Sequence, residues 1–337
     1  MSLDILVTGG AGYVGSHAVQ ELIDHGHRVV VIDNLQQGHR EAVPGGAPLL
    51  EGDLADRAFV ADVFRRHRFD AVMHFAANSL VGESMREPFK YLRDNVMNGL
   101  NLIEAAAQAG IKKFVLSSTA NVYGRPEIVP IPEASTIDPG SPYGESKLMI
   151  ERALAWADTV YGMRSASLRY FNAAGAHPNG RLGEDHDPET HLIPIVLDAA
   201  LGRRSHVEIF GDDYPTPDGT CIRDYVHVCD LAQAHLRVLD TLDERSCIFN
   251  VGTGTGQSVR TIIAAAERVT GIEIPVRIGP RRAGDPAVLV AASDAIGAQI
   301  GWKPRFTDID EIIRSAWQWR RRHPNGYATA AAAAVAE

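Results

Sequence analysis

A tyrosine, a lysine and a threonine have the types and the spacing needed to remove a proton from an alcohol. Tyr143 and Lys147 stand four residues apart, so on a helix they would lie on one face. A free tyrosine has a pKa of about 10, and lowering that pKa to ~7 requires about 4 kcal/mol. A lysine ammonium ~4 Å away supplies roughly that energy at an effective dielectric constant of ~20. We therefore expect Lys147 to lower the pKa of Tyr143, so that the phenolate accepts a substrate proton.

The residues around this pair support the interpretation, because the spacing alone is common. Pro142 suits the first turn of a helix, and Ser141 can cap that helix. Thr119 follows the apolar stretch Phe114–Ser118, which predicts a strand that ends beside the helix. Its hydroxyl could then hold the substrate oxygen next to Tyr143. The predicted catalytic residues are Tyr143, Lys147 and Thr119.

The first 33 residues have the pattern of a turn that binds a dinucleotide. The apolar run Ile5–Thr8 is followed by three glycines and then by residues with helical periodicity. The glycines are Gly9, Gly12 and Gly15. They permit a tight turn and a close approach to a pyrophosphate, whose charge meets the N-terminus of the helix. Asp33 lies 18 residues after Gly15 (33 − 15). A carboxylate there accepts both hydroxyls of the adenosine ribose and repels a 2′-phosphate, which favours NAD over NADP.

The elements that must position these residues alternate between strands and helices. Short apolar runs without polar alternation predict parallel strands that are covered on both faces: Ile5–Thr8, Val29–Asp33, Ala71–Ala76, Phe114–Ser118 and Ala166–Tyr170. Apolar residues at helical spacing lie between them, as in Val14, Ala18, Leu22 and Ile23. This order predicts an α/β fold with a Rossmann-type doubly wound parallel sheet.

The texture of the chain changes after residue 172, where Gly, Pro and Asp become frequent. We predict an NAD-binding domain over 1–172 and a smaller, loop-rich lobe for a substrate over 173–330. The stretch Tyr225–Leu242 is predicted to be helical, and 224–250 is expected to pack back on the first domain. The alanine-rich end, 331–337, is expected to be disordered.

Composition excludes several classes of protein. The 337 residues carry a net charge of −9, whereas a nucleic acid polymer requires a basic face. Three scattered cysteines are too few for a disulfide framework or a zinc site, and we find no histidine or carboxylate cluster with metal-ligand spacing. No run approaches the ~20 apolar residues of a membrane span. We expect a cytoplasmic protein that binds no metal, membrane or nucleic acid polymer.

The second lobe has arginines that could grip a diphosphate in bidentate fashion. They occur in the segments 223–227 and 281–285, at Arg223 and Arg282. Phe210 offers a flat face for a pyrimidine, while Asn172 and the backbone near Leu192 offer further donors. These residues predict a binding site for a nucleoside diphosphate, although arginines on loops are usually solvated.

Taken together, these segments closely resemble the UDP-glucose 4-epimerase family of the extended short-chain dehydrogenases. The similarity runs in order from residue 5 to about residue 320. It is carried by 8–16, 33–35, 74–77, 94–95, 117–124, 143–147, 170–172 and 219–228. The resemblance implies NAD contacts at Gly12, Tyr13, Val14, Asp33, Asn34, Asp53, Leu54, Phe75, Ala76, Asn95, Tyr143, Lys147 and Phe171. It implies contacts to UDP at Asn172, Leu192, Phe210, Arg223 and Arg282.

The resemblance also implies a mechanism and an assembly. Tyr143 takes the proton from the 4-hydroxyl of the UDP-hexose as the C4 hydride passes to NAD. The 4-ketose then turns over while the diphosphate stays anchored, and hydride returns to the other face. Members of the family are commonly homodimers that pair two helices per subunit, which here would start near Asn95 and Tyr143.

The chain departs from the family pattern at three places. Ser79 stands where some members have a lysine, so one cofactor contact is open, and His191 stands where some have an asparagine. After Asp285 the chain is one residue shorter, and alignment places Val288, or with less support Leu289, where certain members have a bulky tyrosine. We hypothesise that Val288 leaves room for a 2-acetamido group, so that UDP-GlcNAc and UDP-GalNAc are also interconverted.

Other functions of the same fold stay open at this point. A 4,6-dehydratase commonly has an Asp-Glu pair beside the catalytic Thr, but Ala120 and Asn121 follow Thr119 here. Another sugar-nucleotide epimerase, acting on a uronate or a pentose, would share the same three catalytic residues. A non-catalytic NAD sensor would typically have lost the Tyr or the Lys, and both are present.

Overall fold

The computed structural model describes residues 2–282 and 285–328, so the predicted disordered end at 331–337 lies outside the described residues. The strands are β1 (Asp4–Thr8), β2 (Arg28–Asp33), β3 (Leu49–Glu51), β4 (Ala71–His74), β5 (Lys113–Thr119), β6 (Arg164–Tyr170), β7 (Asn172–Ala174), β8 (Val207–Phe210), β9 (Ile222–His227), β10 (Cys247–Val251), β11 (Gly256–Ser258), β12 (Val276–Gly279) and β13 (Val288–Leu289). The helices are α1 (Tyr13–Asp24), α2 (Arg57–Arg66), α3 (Val81–Ser84), α4 (Pro88–Gln108), α5 (Pro142–Tyr161), α6 (Leu192–Ala200), α7 (Val228–Thr241), α8 (Val259–Thr270), α9 (Asp294–Ile300) and α10 (Ile309–Arg322).

A seven-stranded parallel sheet forms the centre of the fold. Its strand order is β10-β6-β5-β4-β1-β2-β3, so the first six strands follow the doubly wound order. Successive apolar residues of one strand serve both faces, because Ile5 and Val7 join one buried cluster and Leu6 joins another. This confirms the predicted α/β class and explains why the strand sequences lack polar alternation.

The order of the strands reverses beside β1, which pairs with β2 on one side and with β4 on the other. Loops leave the carboxyl ends of neighbouring strands in opposite directions at such a point and open a crevice. The glycine turn follows β1, Asp33 ends β2 and Thr119 ends β5. The sheet therefore brings the predicted dinucleotide and catalytic residues to one edge.

The remaining elements form smaller sheets and a second core. β9 pairs with β7, β11 and β13, and β8 pairs with β12. Helices α6, α8 and α10 contribute the apolar residues of this core, among them Val196, Ile262 and Ile313. The loop-rich lobe is thus built around its own buried cluster.

The prediction of a helix over Tyr225–Leu242 is wrong at its start. Residues 225–227 end β9, and the helix α7 begins at Val228. Pairing of β9 with β7 commits Tyr225 and His227 to extended backbone, and this tertiary pairing outweighs the local periodicity. Leu231 and Val238 of α7 then share a core with Val19 and Leu22 of α1, while β10 extends the large sheet beside β6.

Within residues 2–282 and 285–328, no helix has the length and apolar character required to cross a bilayer.

Candidate active site

Tyr143 and Lys147 lie on the first two turns of α5, which packs on the large sheet. The helix begins at Pro142, and the hydroxyl of Ser141 caps it by accepting a hydrogen bond from the Gly144 amide at 3.1 Å. Both side chains are buried, at 8% and 1% exposure. The predicted cap is confirmed, and it fixes the face on which the pair lies.

The amine of Lys147 is bound to the strand that carries Thr119. Its Nζ donates a hydrogen bond to the carbonyl oxygen of Ser117 at 2.8 Å. Burial lowers the pKa of Lys147 to about 8, although the nearby carboxylate of Glu151 acts in the opposite direction. A cationic group is therefore held at a fixed place between α5 and β5.

The pKa of Tyr143 differs from the expectation. Burial raises this pKa above its ordinary value, and the neighbouring Tyr170 adds to the rise, while a hydrogen bond with the Thr119 hydroxyl lowers it. The physical reason is that the energy lost when the phenolate leaves water exceeds the stabilisation that the surrounding groups provide. The Lys147 ammonium is directed to the Ser117 carbonyl. Burial and the neighbouring Tyr170 therefore oppose formation of the phenolate.

Thr119 lies where the sequence predicts, at the end of β5 and beside Tyr143. Its Oγ1 accepts hydrogen bonds from the backbone N and the side-chain Nδ2 of Asn121, at 3.2 and 3.3 Å. Both bonds leave the hydroxyl proton available to a partner. The structure thus brings together the three residues that the sequence selects.

A buried polar network next to these residues escaped sequence reasoning. Glu151, one turn beyond Lys147, accepts hydrogen bonds from Nε and Nη2 of Arg169 at 3.0 and 2.6 Å. It also accepts a hydrogen bond from the Ser118 hydroxyl at 2.5 Å. Glu151 could have been found from the sequence, because residues 143, 147 and 151 are spaced by four and therefore share one face of a helix. The network ties α5 to the strands β5 and β6.

The glycine turn has the geometry of a phosphate cradle. Gly9 has φ +75°, and a Cβ on Gly15 would lie 2.0 Å from the carbonyl oxygen of Gly9. A Cβ on Gly12 would meet only that oxygen, at 3.4 Å, so protein packing alone does not require glycine there. The space at Gly12 opens at the N-terminus of α1, which attracts an anion. Tyr13 and Val14 form the first turn of this helix.

Asp33 is oriented by backbone donors at the end of β2. Its Oδ2 accepts from the Ala11 amide at 3.0 Å and its Oδ1 from the Leu35 amide at 2.9 Å. Burial raises the pKa of Asp33, whereas these hydrogen bonds lower it. Asn34 donates to the carboxylate of Asp53 at 2.9 Å. The acidic residues expected beside an adenosine are thus held next to the turn.

The other predicted cofactor contacts lie around the same crevice, but the position of Asn95 in its helix differs from the prediction. Phe75 and Ala76 follow β4, Leu54 follows β3, and Phe171 follows β6. Asn95 is in the middle of α4 rather than near its start. Its amide accepts from the Asn78 amide at 2.8 Å and donates to the Ser146 hydroxyl at 3.0 Å. Asn95 therefore holds the loop that contains the exposed Ser79. The donors, acceptors and open space fit a dinucleotide.

The two arginines predicted to bind UDP are held by contacts within the second lobe. Arg223 donates to the carboxylate of Asp285 at 2.5 Å and to the Pro286 carbonyl at 2.8 Å. The guanidinium of Arg282 lies over the ring of Phe210, 3.9 Å from its centroid. A pyrimidine on Phe210 therefore requires the opposite face of the ring or a rotation of Arg282.

Other predicted substrate contacts lie at the starts of elements. Asn172 begins β7, and Leu192 begins α6. Val288 begins β13, and it is half-buried. Leu289 packs against the cluster of Ala120, Val122 and Phe171. Because neighbouring strand residues point to opposite faces, Val288 points away from that cluster.

The structure brings together four possible metal ligands that the sequence did not single out. Glu184, His186, Glu189 and His191 offer donor atoms that all lie within 4.8 Å of one another. The segment 184–191 folds back on itself without a helix, so the spacing follows no familiar metal motif. The signal was the density of histidine and glutamate in eight residues.

Comparison with known proteins places the chain in a family. Residues 5–252 match the model of the NAD dependent epimerase/dehydratase family. The UDP-glucose 4-epimerase of Lacticaseibacillus casei is 51% identical over 96% of this chain and 99% of its own length.

Two solved structures have the same fold. One is UDP-glucose 4-epimerase from Bifidobacterium longum in complex with NAD+ and UDP, with a TM-score of 0.92 and 38% identity over 96% of this chain and 99% of that one. The other is the UDP-Glc/GlcNAc 4-epimerase of Campylobacter jejuni, with a TM-score of 0.84 and 42% identity over 96% and 100% of the two chains. The length and identity of these matches show that the chain belongs to the NAD dependent epimerase/dehydratase family.

Proposed function

We propose that the protein interconverts UDP-glucose and UDP-galactose by epimerisation at C4, with NAD as its cofactor. The observation that carries the proposal is the buried group of Thr119, Tyr143 and Lys147 beside a glycine turn. Ala120 and Asn121 follow Thr119, so the carboxylates that a dehydratase commonly uses are missing from these positions. The similarity to curated UDP-glucose 4-epimerases over 96% of the chain supports the same activity.

Each residue of the catalytic group has a role that its contacts support. The phenolate of Tyr143, formed when the phenol loses its proton, accepts the proton of the hexose 4-hydroxyl, and the hydroxyl of Thr119 orients the same oxygen. Lys147, one turn along α5 from Tyr143 and held at the Ser117 carbonyl, supplies positive charge to the site. When bound, NAD supplies the hydride acceptor and a further positive charge. Because burial and the neighbouring Tyr170 raise the pKa of Tyr143, its deprotonation depends on these positive charges.

The dinucleotide and the substrate would be held by different parts of the fold. Gly12, Tyr13 and Val14 would hold the pyrophosphate of NAD, and Asp33 would accept hydrogen bonds from the adenosine ribose. Arg223, Arg282, Phe210, Leu192 and Asn172 hold UDP. Epimerisation requires the sugar to turn while its diphosphate stays fixed, so UDP must provide most of the binding energy.

Conversion of UDP-galactose without added cofactor tests the proposal directly. Purified protein is incubated with UDP-galactose, and the sugar nucleotides are separated by chromatography. UDP-glucose is the expected product, and its formation would also demonstrate that NAD is retained through purification. Absence of any product, with NAD present in the protein, would favour a non-catalytic role.

We further propose that N-acetylated sugars are accepted. Val288 points away from the apolar cluster that contains Leu289, which supports Val288 as the residue beside the sugar. A valine occupies less volume than the tyrosine of certain family members, so a 2-acetamido group has room. The related Campylobacter jejuni enzyme is described as a UDP-Glc/GlcNAc 4-epimerase.

Substitution of Val288 by tyrosine is expected to suppress turnover of UDP-GlcNAc more than that of UDP-glucose. Loss of space for one methylene group changes selectivity by roughly 10–200-fold. We therefore expect the substitution to lower the ratio of kcat/KM for UDP-GlcNAc to kcat/KM for UDP-glucose by a factor in this range. Val276→Tyr, at an exposed valine of β12, is the matched control. Undetectable acetamido turnover by the unsubstituted protein would contradict the proposal.

We also propose a homodimer formed by α4 and α5. Several apolar residues on these helices are exposed, including Trp156 at 70%, Val160 at 64% and Leu100 at 39%. They line a groove of about 610 Å³ between the two helices. An exposed apolar patch of this kind is typical of a protein–protein interface, and the resemblance to the family implies that these two helices pair.

Substitution of Trp156 by glutamate is expected to weaken the dimer by at least about 30-fold. Truncating a tryptophan at an interface hot spot costs about 2 kcal/mol or more, and a buried carboxylate adds to that cost. The dissociation constant is measured by analytical ultracentrifugation. Ile272→Glu, at an exposed isoleucine after α8, should leave the constant unchanged. A monomeric wild type at micromolar concentration would refute the interface.

A cytoplasmic location completes the proposal. The thiols of Cys221, Cys229 and Cys247 are all unpaired, as is common in a reducing compartment.

A further inference from the structure

Four side chains of the segment 184–191 converge next to the glycine turn. His191 Nδ1 lies 2.6 Å from Glu184 Oε1 and 3.6 Å from Glu189 Oε1. His186 Nδ1 lies 3.4 Å from Glu184 Oε1 and 3.9 Å from Glu189 Oε2. A tetrahedral ion with bonds of about 2.0–2.1 Å separates its ligand atoms by about 3.3–3.4 Å. The measured separations surround that value, so small rotations would place all four donors on one ion.

Glu189 provides an independent observation that points to a ligand. Its side chain is only 6% exposed. Its Oε1 accepts hydrogen bonds from the backbone amides of Thr190 at 2.8 Å and His191 at 2.9 Å. These bonds fix the carboxylate, and its buried Oε2 is left without a hydrogen-bond partner among the residues that the structure describes. A buried carboxylate oxygen without a donor is costly, and a cation would satisfy it.

His186 shows the same deficit, and the neighbouring arginine does not remove it. The Nδ1 of His186 is buried and has no hydrogen-bond partner within the described ranges. Arg320 approaches Glu189 Oε2 to 3.8 Å, but its Nη2 donates to Asp198 at 3.0 Å instead. Two atoms without a hydrogen-bond partner, His186 Nδ1 and Glu189 Oε2, therefore face the same small space, and both can act as metal ligands.

We propose that Glu184, His186, Glu189 and His191 bind a divalent transition-metal ion, for which zinc is the best match. Two imidazole nitrogens and two carboxylate oxygens suit the borderline character of Zn²⁺. Two carboxylates also balance the charge of a dication, which makes its burial favourable. Because all four ligands come from the protein, the site is of the closed type that stabilises structure.

The ion would join two parts of the fold that surround the crevice. His191 directly precedes Leu192, the first residue of α6. His186 packs edge-on against Tyr13 of the first helix, with ring centroids 6.2 Å apart. A bound ion would therefore fix the segment 184–191 between the glycine turn and the start of α6. The inference does not depend on the proposed epimerase activity.

Zinc uptake by the chelator-treated full chain tests the site. Equilibrium dialysis against micromolar Zn²⁺, followed by metal analysis, is expected to give about one ion per chain. Occupancy should also raise the thermal unfolding midpoint, because a ligand that binds only the native state stabilises it. Loss of an outer-shell partner alone weakens metal binding by ~10–100-fold. We therefore expect His186→Gln and Glu189→Gln to reduce affinity by more than about 100-fold.

Control measurements separate this site from other metal ligands of the chain. His25→Gln, at an exposed histidine, should bind zinc as the wild type does. Cobalt substitution should give the absorption of tetrahedral nitrogen and oxygen coordination, without the thiolate charge-transfer band that binding to cysteine produces. Circular dichroism of the metal-free variants checks folding, and Glu189→Gln, which is nearly isosteric, decides the outcome if His186→Gln unfolds. The proposal is overturned if the wild type takes up no zinc, if Glu189→Gln binds it equally well, or if the thiolate band appears.

Discussion

Replacement of Tyr143 by phenylalanine is expected to lower kcat for UDP-galactose by ~10²–10⁴, the contribution typical of a general acid–base group. The phenol is buried beside the hydroxyl of Thr119, and no other tyrosine occupies the start of α5. Loss of one hydroxyl leaves the packing of the ring unchanged, so KM and NAD content should change little. Steady-state kinetics and the NAD content of the purified variant are the measurements.

The control for this variant is Tyr161→Phe, which removes the hydroxyl of an exposed tyrosine at the end of the same helix. Its kcat should equal that of the wild type. Full activity of the Tyr143 variant would assign the proton transfer to another group.

A pH profile adds a second test. Since burial raises the pKa of Tyr143, the wild-type rate should rise with pH as the phenol loses its proton. The Tyr143→Phe variant should lose that dependence.

Substitution of Glu151 by glutamine is expected to reduce the free energy of unfolding by ~3–5 kcal/mol, because it leaves the charge of Arg169 buried without a counter-ion. Only 5% of the Arg169 side chain and 4% of the Glu151 side chain are exposed, and their closest contact is 2.6 Å. Chemical denaturation measures the loss. Because Glu151 also accepts the hydrogen bond of Ser118, next to Thr119, a fall in kcat should accompany it.

An exposed ion pair offers a matched control for the buried one. Arg57 and Glu104 are also 2.6 Å apart, but their side chains are 68% and 49% exposed. Glu104→Gln should cost less than about 1 kcal/mol, since solvent screens such pairs. The double variant Glu151→Leu, Arg169→Met should regain much of the lost stability, because it removes both buried charges. Equal losses for Glu151→Gln and Glu104→Gln would contradict the role given to burial.

The sequence was informative wherever local pattern determines position. Asp33 and Thr119 end apolar runs, so their places at the carboxyl edge of a parallel sheet could be predicted. The cap at Ser141 and the common face of Tyr143 and Lys147 followed from helix geometry. These features depend on residues within about one turn or one strand of each other.

Features that depend on tertiary neighbours could not be predicted in this way. The direction of the pKa shift of Tyr143 is set by burial, which depends on how α5 packs on the sheet. The pairing of Arg223 with Asp285 joins residues 62 apart in sequence, and it occupies an arginine that sequence reasoning had assigned to a diphosphate. Tyr225 and His227 have the periodicity of a helix, but they form part of β9 because that strand pairs with β7. The donors of the segment 184–191 meet only because that segment folds back.

The position of β10 has a consequence for how the chain can be divided. The backbone leaves the large sheet after β6 and returns only at Cys247 to add the outermost strand beside it. A fragment that stops at residue 172 would therefore leave the hydrogen-bonding groups along one side of β6 unsatisfied. Exposed strand edges promote intermolecular association, so such a fragment should aggregate, although it contains the whole glycine turn and all three side chains proposed to be catalytic. A fragment designed to fold on its own must therefore include β10 as well as residues 1–172.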